Sequence, residues 1–289
     1  MTVQVRKAVF PIGGLGTRLL PATKSIPKEM LPVVDTPLIQ YAVDEALASG
    51  IEEIIFVSGR GKSAIEDYFD HNIELECALN ERGKTAELAS VTGPTRTPGS
   101  IVYTRQQTAL GLGHAVWCAR DLVGDEPFAV LLADDLVMAD TPCLAQLIDV
   151  FTNSGGNVVA VMDVPREHTN RYGILDITED DGKLVEIKGL IEKPAPKDAP
   201  STLSIIGRYV LLPEIFTELD RQERGTDNEI QLTDAMAWQI GRAPFHGLRF
   251  DGRRFDCGDK GEFLEANLAF ALTREDLASQ VREFLGDYI

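Results

Sequence analysis

Residues 10–32 read Phe-Pro-Ile-Gly-Gly-Leu-Gly-Thr-Arg-Leu-Leu-Pro-Ala-Thr-Lys-Ser-Ile-Pro-Lys-Glu-Met-Leu-Pro. A short apolar run, Ala8 to Ile12, leads into Gly13, Gly14, Leu15, Gly16, Thr17 and Arg18, and Lys24 and Lys28 follow. Glycines let successive backbone N–H groups face one concavity, because no Cβ blocks a ligand's approach. Arg18 can grip phosphate oxygens in pairs, and the lysines add positive charge. No acid occurs before Glu29, although the whole chain carries 45 Asp and Glu against 28 Lys and Arg. Such a loop suits a polyphosphate.

Two better-known nucleotide loops fail on residue identity. A dinucleotide fingerprint needs a third glycine where this chain has Leu19. A P-loop needs Gly-Lys-Ser after an earlier glycine, and the one such triplet, Gly61-Lys62-Ser63, has Phe56 there. The plainer alternative for Gly13 to Gly16 is a tight strand-to-helix turn without a ligand. The cations that follow argue against it.

The 289 residues are 44% hydrophobic with a net charge of −17, ordinary for a globular chain with a large core. That charge disfavours nucleic acid and anionic membrane surfaces as partners. Met1 to Lys7 is polar, and runs such as Phe128 to Ala133 are too short to span a bilayer. Cys77, Cys118, Cys143 and Cys257 lie far apart with no C-x-x-C pair, so buried thiols in a reducing cytoplasm are expected.

Strand-like runs at Val5–Ile12, Glu53–Ser58, Ser100–Arg105, Phe128–Ala133 and Asn157–Val164 alternate with helix-like ones at Leu38–Ser49, Lys62–Phe69, Gly111–Leu122 and Pro142–Asn153. Alternation of this kind predicts an α/β fold, a Rossmann-like mostly parallel sheet with helices on both faces. Ligands in such sheets sit at the carboxyl ends of strands, where the Gly13 loop falls. A polar stretch, His71–Gly99, reads as a helical excursion and a surface loop. After Asn157 strand-and-turn signals dominate: Tyr172–Ile177, Leu184–Glu192, Ser204–Leu211, Ala243–Phe250 and Phe255–Cys257. Helices over Gly261–Leu272 and Leu277–Leu285 end the chain. No linker separates these parts. The expectation is one domain, 1–289, in three parts: 1–155, a smaller β region (156–260) and C-terminal helices (261–289).

The pattern G-x-G-T-R-x-x-P-x-T-x-x-x-P-K-x-x-L-P-V resembles the signature of the sugar-1-phosphate nucleotidylyltransferases. The run GGLGTRLLPATKSIPKEMLPVVDTPLIQYAVDEALASGIEEI is most similar to the bacterial UTP–glucose-1-phosphate uridylyltransferases, and the likeness extends from Val5 to about Leu272. It implies transfer of a uridylyl group from UTP to glucose 1-phosphate, giving UDP-glucose and pyrophosphate, in a single catalytic domain whose residues 1–155 are the nucleotide-binding half and 156–260 the smaller sugar-binding half. A phosphate oxygen is the nucleophile, so no general base is needed. Aligned cations and a metal supply the catalysis.

On that resemblance, Gly13, Gly14, Gly16 and Thr17 hold the triphosphate, while Arg18 and Lys28 act on its phosphates. Asp134, first of the Asp134-Asp135 pair after the Phe128 strand, and Asp256 hold Mg²⁺, which usually takes one or two carboxylates. Asp135 is expected to cap the following turn. Gln106 and Gly111 select the base, an amide being able to match the imide edge of uracil or thymine. His114 is expected only to begin a helix. Gly173, Glu192, Lys193 and Gly207 face the sugar, with Lys193 on its phosphate, and Asp227–Asp234 shapes a sugar-side loop. The resemblance further implies a homo-oligomer, a dimer or tetramer. The rival readings are a thymidylyltransferase of the same fold, because thymine shows Gln106 the same edge, and a non-catalytic sugar-nucleotide-binding protein. A decayed relative should have lost Arg18, Lys28 or the aspartates, and all are present.

Overall fold

The computed structural model describes residues 4–288. Its strands are β1 (Lys7–Pro11), β2 (Pro32–Val33), β3 (Thr36–Pro37), β4 (Glu53–Ser58), β5 (Ile101–Arg105), β6 (Phe128–Leu131), β7 (Asp135–Met138), β8 (Asn157–Asp163), β9 (Gly173–Asp180), β10 (Leu184–Glu192), β11 (Leu203–Leu211), β12 (Phe245–Arg249) and β13 (Arg253–Asp256). One nine-stranded sheet runs β5-β4-β1-β6-β11-β8-β12-β10-β9, and two small pairs, β2 with β3 and β7 with β13, stand apart from it.

Why β1 forms the middle of the first half follows from its residues. Ala8, Val9 and Phe10 are fully buried, as a strand covered on both faces requires. Side chains alternate across the sheet, so Val9 joins a core with Ile55, Val57 and Val130 on one face. Ala8 and Phe10 join Ile54, Phe56 and Leu131 on the other.

The chain passes from β1 outward to β4 and β5, then returns to the far side of β1 as β6, all in parallel. The strand order reverses between β1 and β6, and a crevice opens there beyond the carboxyl ends. Gly13 follows β1 and Asp134 follows β6, so this topology brings both to one place.

Parallel pairing holds across β5-β4-β1-β6. Past β6 the sheet is mixed: β11 runs antiparallel to β6 and β8, β12 is parallel to β8, and β10 is antiparallel to β12 and β9. Short connections cause this, since β9 and β10 are joined by a tight turn at Asp181–Lys183, where Asp181 accepts from the N–H groups of Lys183 and Leu184.

One local expectation changes, and two stretches gain detail. After the Gly13 loop come three single 3₁₀ turns, Thr17–Leu19, Ala22–Lys24 and Lys28–Met30. Pro21, Pro27 and Pro32 punctuate the stretch. The helix expected over Gly111–Leu122 divides into Leu112–Trp117 and Arg120–Val123, because the Ala119 N–H turns to Val116 O, one residue short of helical spacing. The helical excursion expected in His71–Gly99 is two short helices, Ile73–Glu81 and Thr85–Thr92, neither with a buried residue. No helix among the described residues is long and apolar enough to cross a membrane.

Candidate active site

The glycine loop is tied to the lysine turn that follows it. Gly16 has φ +66°, and a Cβ there would lie 3.2 Å from both Lys28 and Thr23, so glycine is required for conformation and for space. The Thr23 hydroxyl donates to Gly16 O at 2.7 Å. Lys28 thereby projects beneath the loop. Lys24, by contrast, is exposed and makes no ion pair among the described residues.

Two carboxylates meet these cations. Lys28 Nζ donates to Asp134 Oδ2 at 2.6 Å. Arg18 Nη1 donates to Asp256 Oδ2 at 3.1 Å, and Arg18 Nη2 lies 3.7 Å from Asp134 Oδ2. One guanidinium therefore touches both acids. The β7–β13 pair joins them in the backbone as well, since Asp256 is in register with Asp135 and the Cys257 N–H donates to Asp134 O at 2.8 Å. Burial pushes the Asp134 carboxyl up, but the Lys28 ammonium outweighs it and the net shift is downward. Burial likewise opposes the charge on Lys28, and Asp134 and Glu29 reverse that, so Lys28 holds its proton more tightly than usual.

Asp135 does something other than cap a turn. Its Oδ2 accepts the Gly207 N–H at 2.8 Å and its Oδ1 accepts Arg254 Nε at 2.7 Å. β7 starts at Asp135, so its side chain points into the sheet junction instead of along the turn. Burial raises its pKa despite Arg254. Gly207 itself has no room for a side chain, because a Cβ would lie 2.6 Å from Asp135 Oδ2.

Beyond β5, the Gln106 N–H extends the β4–β5 ladder to Ser58 O. Its side-chain Nε2 lies 3.0 Å from Gly111 O and 3.0 Å from His114 Nδ1. A Cβ on Gly13 would sit 3.0 Å from Gln106 Oε1, which brings Gly13, Gln106 and Gly111 together. Gly111, at φ +107°, packs against Glu229 and Ile230, where a Cβ would come within 2.7 Å.

At the other end of the cleft, Gly173 and Glu192 are paired across β9 and β10. Lys193 follows with φ +49°, unusual for a residue with a Cβ. Its N–H donates to Tyr172 O at 2.9 Å, and its Nζ donates to Asp227 Oδ2 at 2.6 Å. Burial raises the Glu192 pKa against the Thr233 hydroxyl and Lys193. A cleft of about 640 Å³ joins this group to Arg18, Asp134 and Asp256. A larger cavity, about 780 Å³ beside Met138 and Asp251, holds none of these residues.

Sequence reasoning missed Arg254 and Lys62. Arg254 is two residues before Asp256 on one strand face, and that spacing could have found it. Its side chain is 6% exposed and reaches Asp135 and Asp256 together. Lys62, which in the sequence only opens a helix-like run, is buried against Glu29 with Nζ to Oε2 at 2.7 Å. No pattern in the sequence announces that.

Residues 7–271 match the model of the family described as Nucleotidyl transferase. The chain belongs to this family. As a nucleotidyl transferase it is 55% identical over 260 residues to a UTP–glucose-1-phosphate uridylyltransferase of Komagataeibacter xylinus, covering 90% of this chain and 92% of that one. A UTP-bound UGPase from Acinetobacter baumannii superposes with a TM-score of 0.90 at 40% identity, covering 98% and 99% of the two chains. A UDP-glucose pyrophosphorylase complexed with UDP-glucose does so with a TM-score of 0.84 at 41% identity, covering 94% of this chain and 100% of that one. All three are near full length, so the likeness concerns the whole nucleotidyl transferase.

Proposed function

We propose that this nucleotidyl transferase moves a uridylyl group from UTP to α-D-glucose 1-phosphate, giving UDP-glucose and pyrophosphate. The observation that carries the reading is the contact of Arg18 with both Asp134 and Asp256, in a cleft that ends at Glu192 and Lys193. Cations and acids meet at the strand ends where two phosphates would collide.

In this reading an oxygen of the sugar phosphate attacks the α-phosphorus of UTP in line, the bond to the β-phosphate oxygen breaks, and pyrophosphate leaves. Two such anions at 4 Å repel by about 4 kcal/mol per charge pair at an effective dielectric near 20. Lys28 has three N–H donors and gives one to Asp134, so donors remain for phosphate oxygens. Arg18 is in the same position, its fork only partly used by Asp256. Gly13, Gly14, Gly16 and Thr17 hold the triphosphate. Lys193 draws the sugar phosphate toward the reacting centre, while Glu192 and the backbone at Gly173 accept the hexose. Gly207 admits Asp135, which steadies Arg254.

Asp134 and Asp256 fit a divalent ion: two hard carboxylates touch one guanidinium, a donor set that suits Mg²⁺ with its remaining positions on phosphate and water. When bound, Mg²⁺ supplies charge neutralisation at the phosphates. The proposal includes a cytoplasmic location and a homo-oligomer formed through the C-terminal helices, where Leu264 is 63% exposed. It also keeps the division into a nucleotide half, 1–155, and a sugar half, 156–260.

The test is pyrophosphate release with UTP, dTTP, ATP and GTP against several sugar 1-phosphates. UTP with glucose 1-phosphate should be the best pair. A preference for dTTP would favour the thymidylyl reading. Tight UDP-glucose binding with no turnover for any pair would replace the enzyme with a binding protein.

A further inference from the structure

The Gln106 carboxamide is 9% exposed, between the glycine loop and the helix Leu112–Trp117. A backbone carbonyl can only accept, so the atom 3.0 Å from Gly111 O is the amide nitrogen. The amide's orientation follows from chemistry alone. Its second N–H then points at His114 Nδ1, 3.0 Å away, which must offer a lone pair. The ring is therefore neutral, with its proton on Nε2. The Cys118 thiol lies 3.9 Å from the same Nδ1, a weak donor that asks for the same state. With both N–H groups engaged, Gln106 Oε1 accepts no hydrogen bond from any described residue and lies over Gly13. An acceptor alone faces the glycine loop.

Uracil and thymine carry an N3–H donor, and cytosine carries an N3 acceptor. A fixed Oε1 attracts the first and repels the second. We propose that His114 is the positioning residue that holds the Gln106 amide in the one orientation that admits uracil-type bases and excludes cytosine. The inference rests on the uridylyl reading above and adds how the base is chosen. His114 acts through Gln106 and touches no substrate.

The imidazole is itself held. It stacks on Trp117, with centroids 5.6 Å apart and planes at 26°. The Trp117 indole donates to Asp220 Oδ1, and the Arg120 guanidinium lies over the indole at 3.8 Å. Cys118, and Arg120 and Asp220 beyond the indole, are the titratable and charged groups about the ring. Burial lowers the His114 pKa and raises that of Cys118, which favours a neutral ring beside an intact thiol. Protonation would set an N–H against an NH₂ group and remove the amide's second anchor.

The test compares dissociation constants for UTP and CTP, by calorimetry in magnesium buffer, for the full chain, His114→Leu and His114→Asn. Wild type should prefer UTP. His114→Leu should lower that preference by about fivefold or more, the worth of one buried hydrogen bond. His114→Asn, whose carbonyl can accept, should restore most of it. The wild-type preference should also fall as pH drops below the ordinary histidine range. Triphosphate titration cancels in the UTP-to-CTP ratio, and the same pH series on His114→Asn, whose amide does not titrate, subtracts protonation of the cytosine ring itself. An unchanged ratio in His114→Leu, an equal loss in both variants, or a pH-independent wild-type ratio overturns the proposal. Should the leucine variant fail to fold, the asparagine variant and the pH series decide. Binding needs no turnover: selective UTP binding without UDP-glucose formation would refute the reaction and leave this inference standing.

Discussion

Lys62 Nζ donates to Glu29 Oε2 at 2.7 Å, and both side chains are nearly sealed from solvent. The pair sits behind the turn that presents Lys28, so the residue next to the phosphate-facing lysine is an anchored anion. Burial raises the Glu29 pKa more than Lys62 and Lys28 lower it, and its Oε1 has no hydrogen-bond partner among the described residues.

Removal of Lys62 strands that anion. Lys62→Met should cost about 3–5 kcal/mol at neutral pH, the usual penalty for a buried charge left alone. An acid whose folded-state pKa is raised contributes stability that is complete below its ordinary pKa and lost as pH rises through the raised value. Without Lys62 the Glu29 pKa rises further, so the variant's penalty should shrink in acid. Denaturant titrations in acid and at neutral pH check this, and equal penalties at both would reject it.

Asp134→Asn leaves the shape of the carboxylate but removes its charge. The magnesium-dependent rate should fall at least about a hundredfold, while circular dichroism stays close to wild type. Near-normal turnover would exclude Asp134 as a metal ligand.

Gly207→Ala should be destabilising by about 1–3 kcal/mol, because the new methyl would meet Asp135 Oδ2 and Leu132 Cβ within 2.7 Å. Arg254→Met should cost more, about 3–5 kcal/mol, by leaving the buried Asp135 without its cation. Calorimetric melting of the two variants gives the order, and a reversed order would mean that space, not charge, governs this junction.

Lys193→Ala should raise KM for glucose 1-phosphate by about tenfold or more, with a smaller change for UTP, since it removes a charge-assisted contact on the sugar side. Initial-rate measurements with each substrate varied in turn check it. A defect seen with UTP alone would move Lys193 to the nucleotide.

What could be read from the residues alone follows a physical rule. Strands such as β4 and β10 begin and end where their apolar pattern does, because burial on a sheet selects the same residues that mark it in sequence. The glycine loop at the end of β1 was legible for a similar reason: glycines and an absence of acids are local facts. Long-range pairings were not. Nothing local to Asp135 says that it will hold Arg254, and nothing near Lys62 names Glu29, because both pairs arise only when distant segments fold together. The mixed half of the sheet was hidden too, since strand direction depends on connections whose geometry the apolar pattern does not record.

The side chains that meet in the cleft come from distant parts of the chain. Arg18 and Asp256 are 238 positions apart, and Asp256 is set in place by β13 and by the Glu262 carboxylate on the helix behind it. During synthesis the glycine loop and Asp134 emerge well before Asp256, so the paired acids meet only once β13 has been made. A chain cut short before Asp256 should hold the first carboxylate without the second.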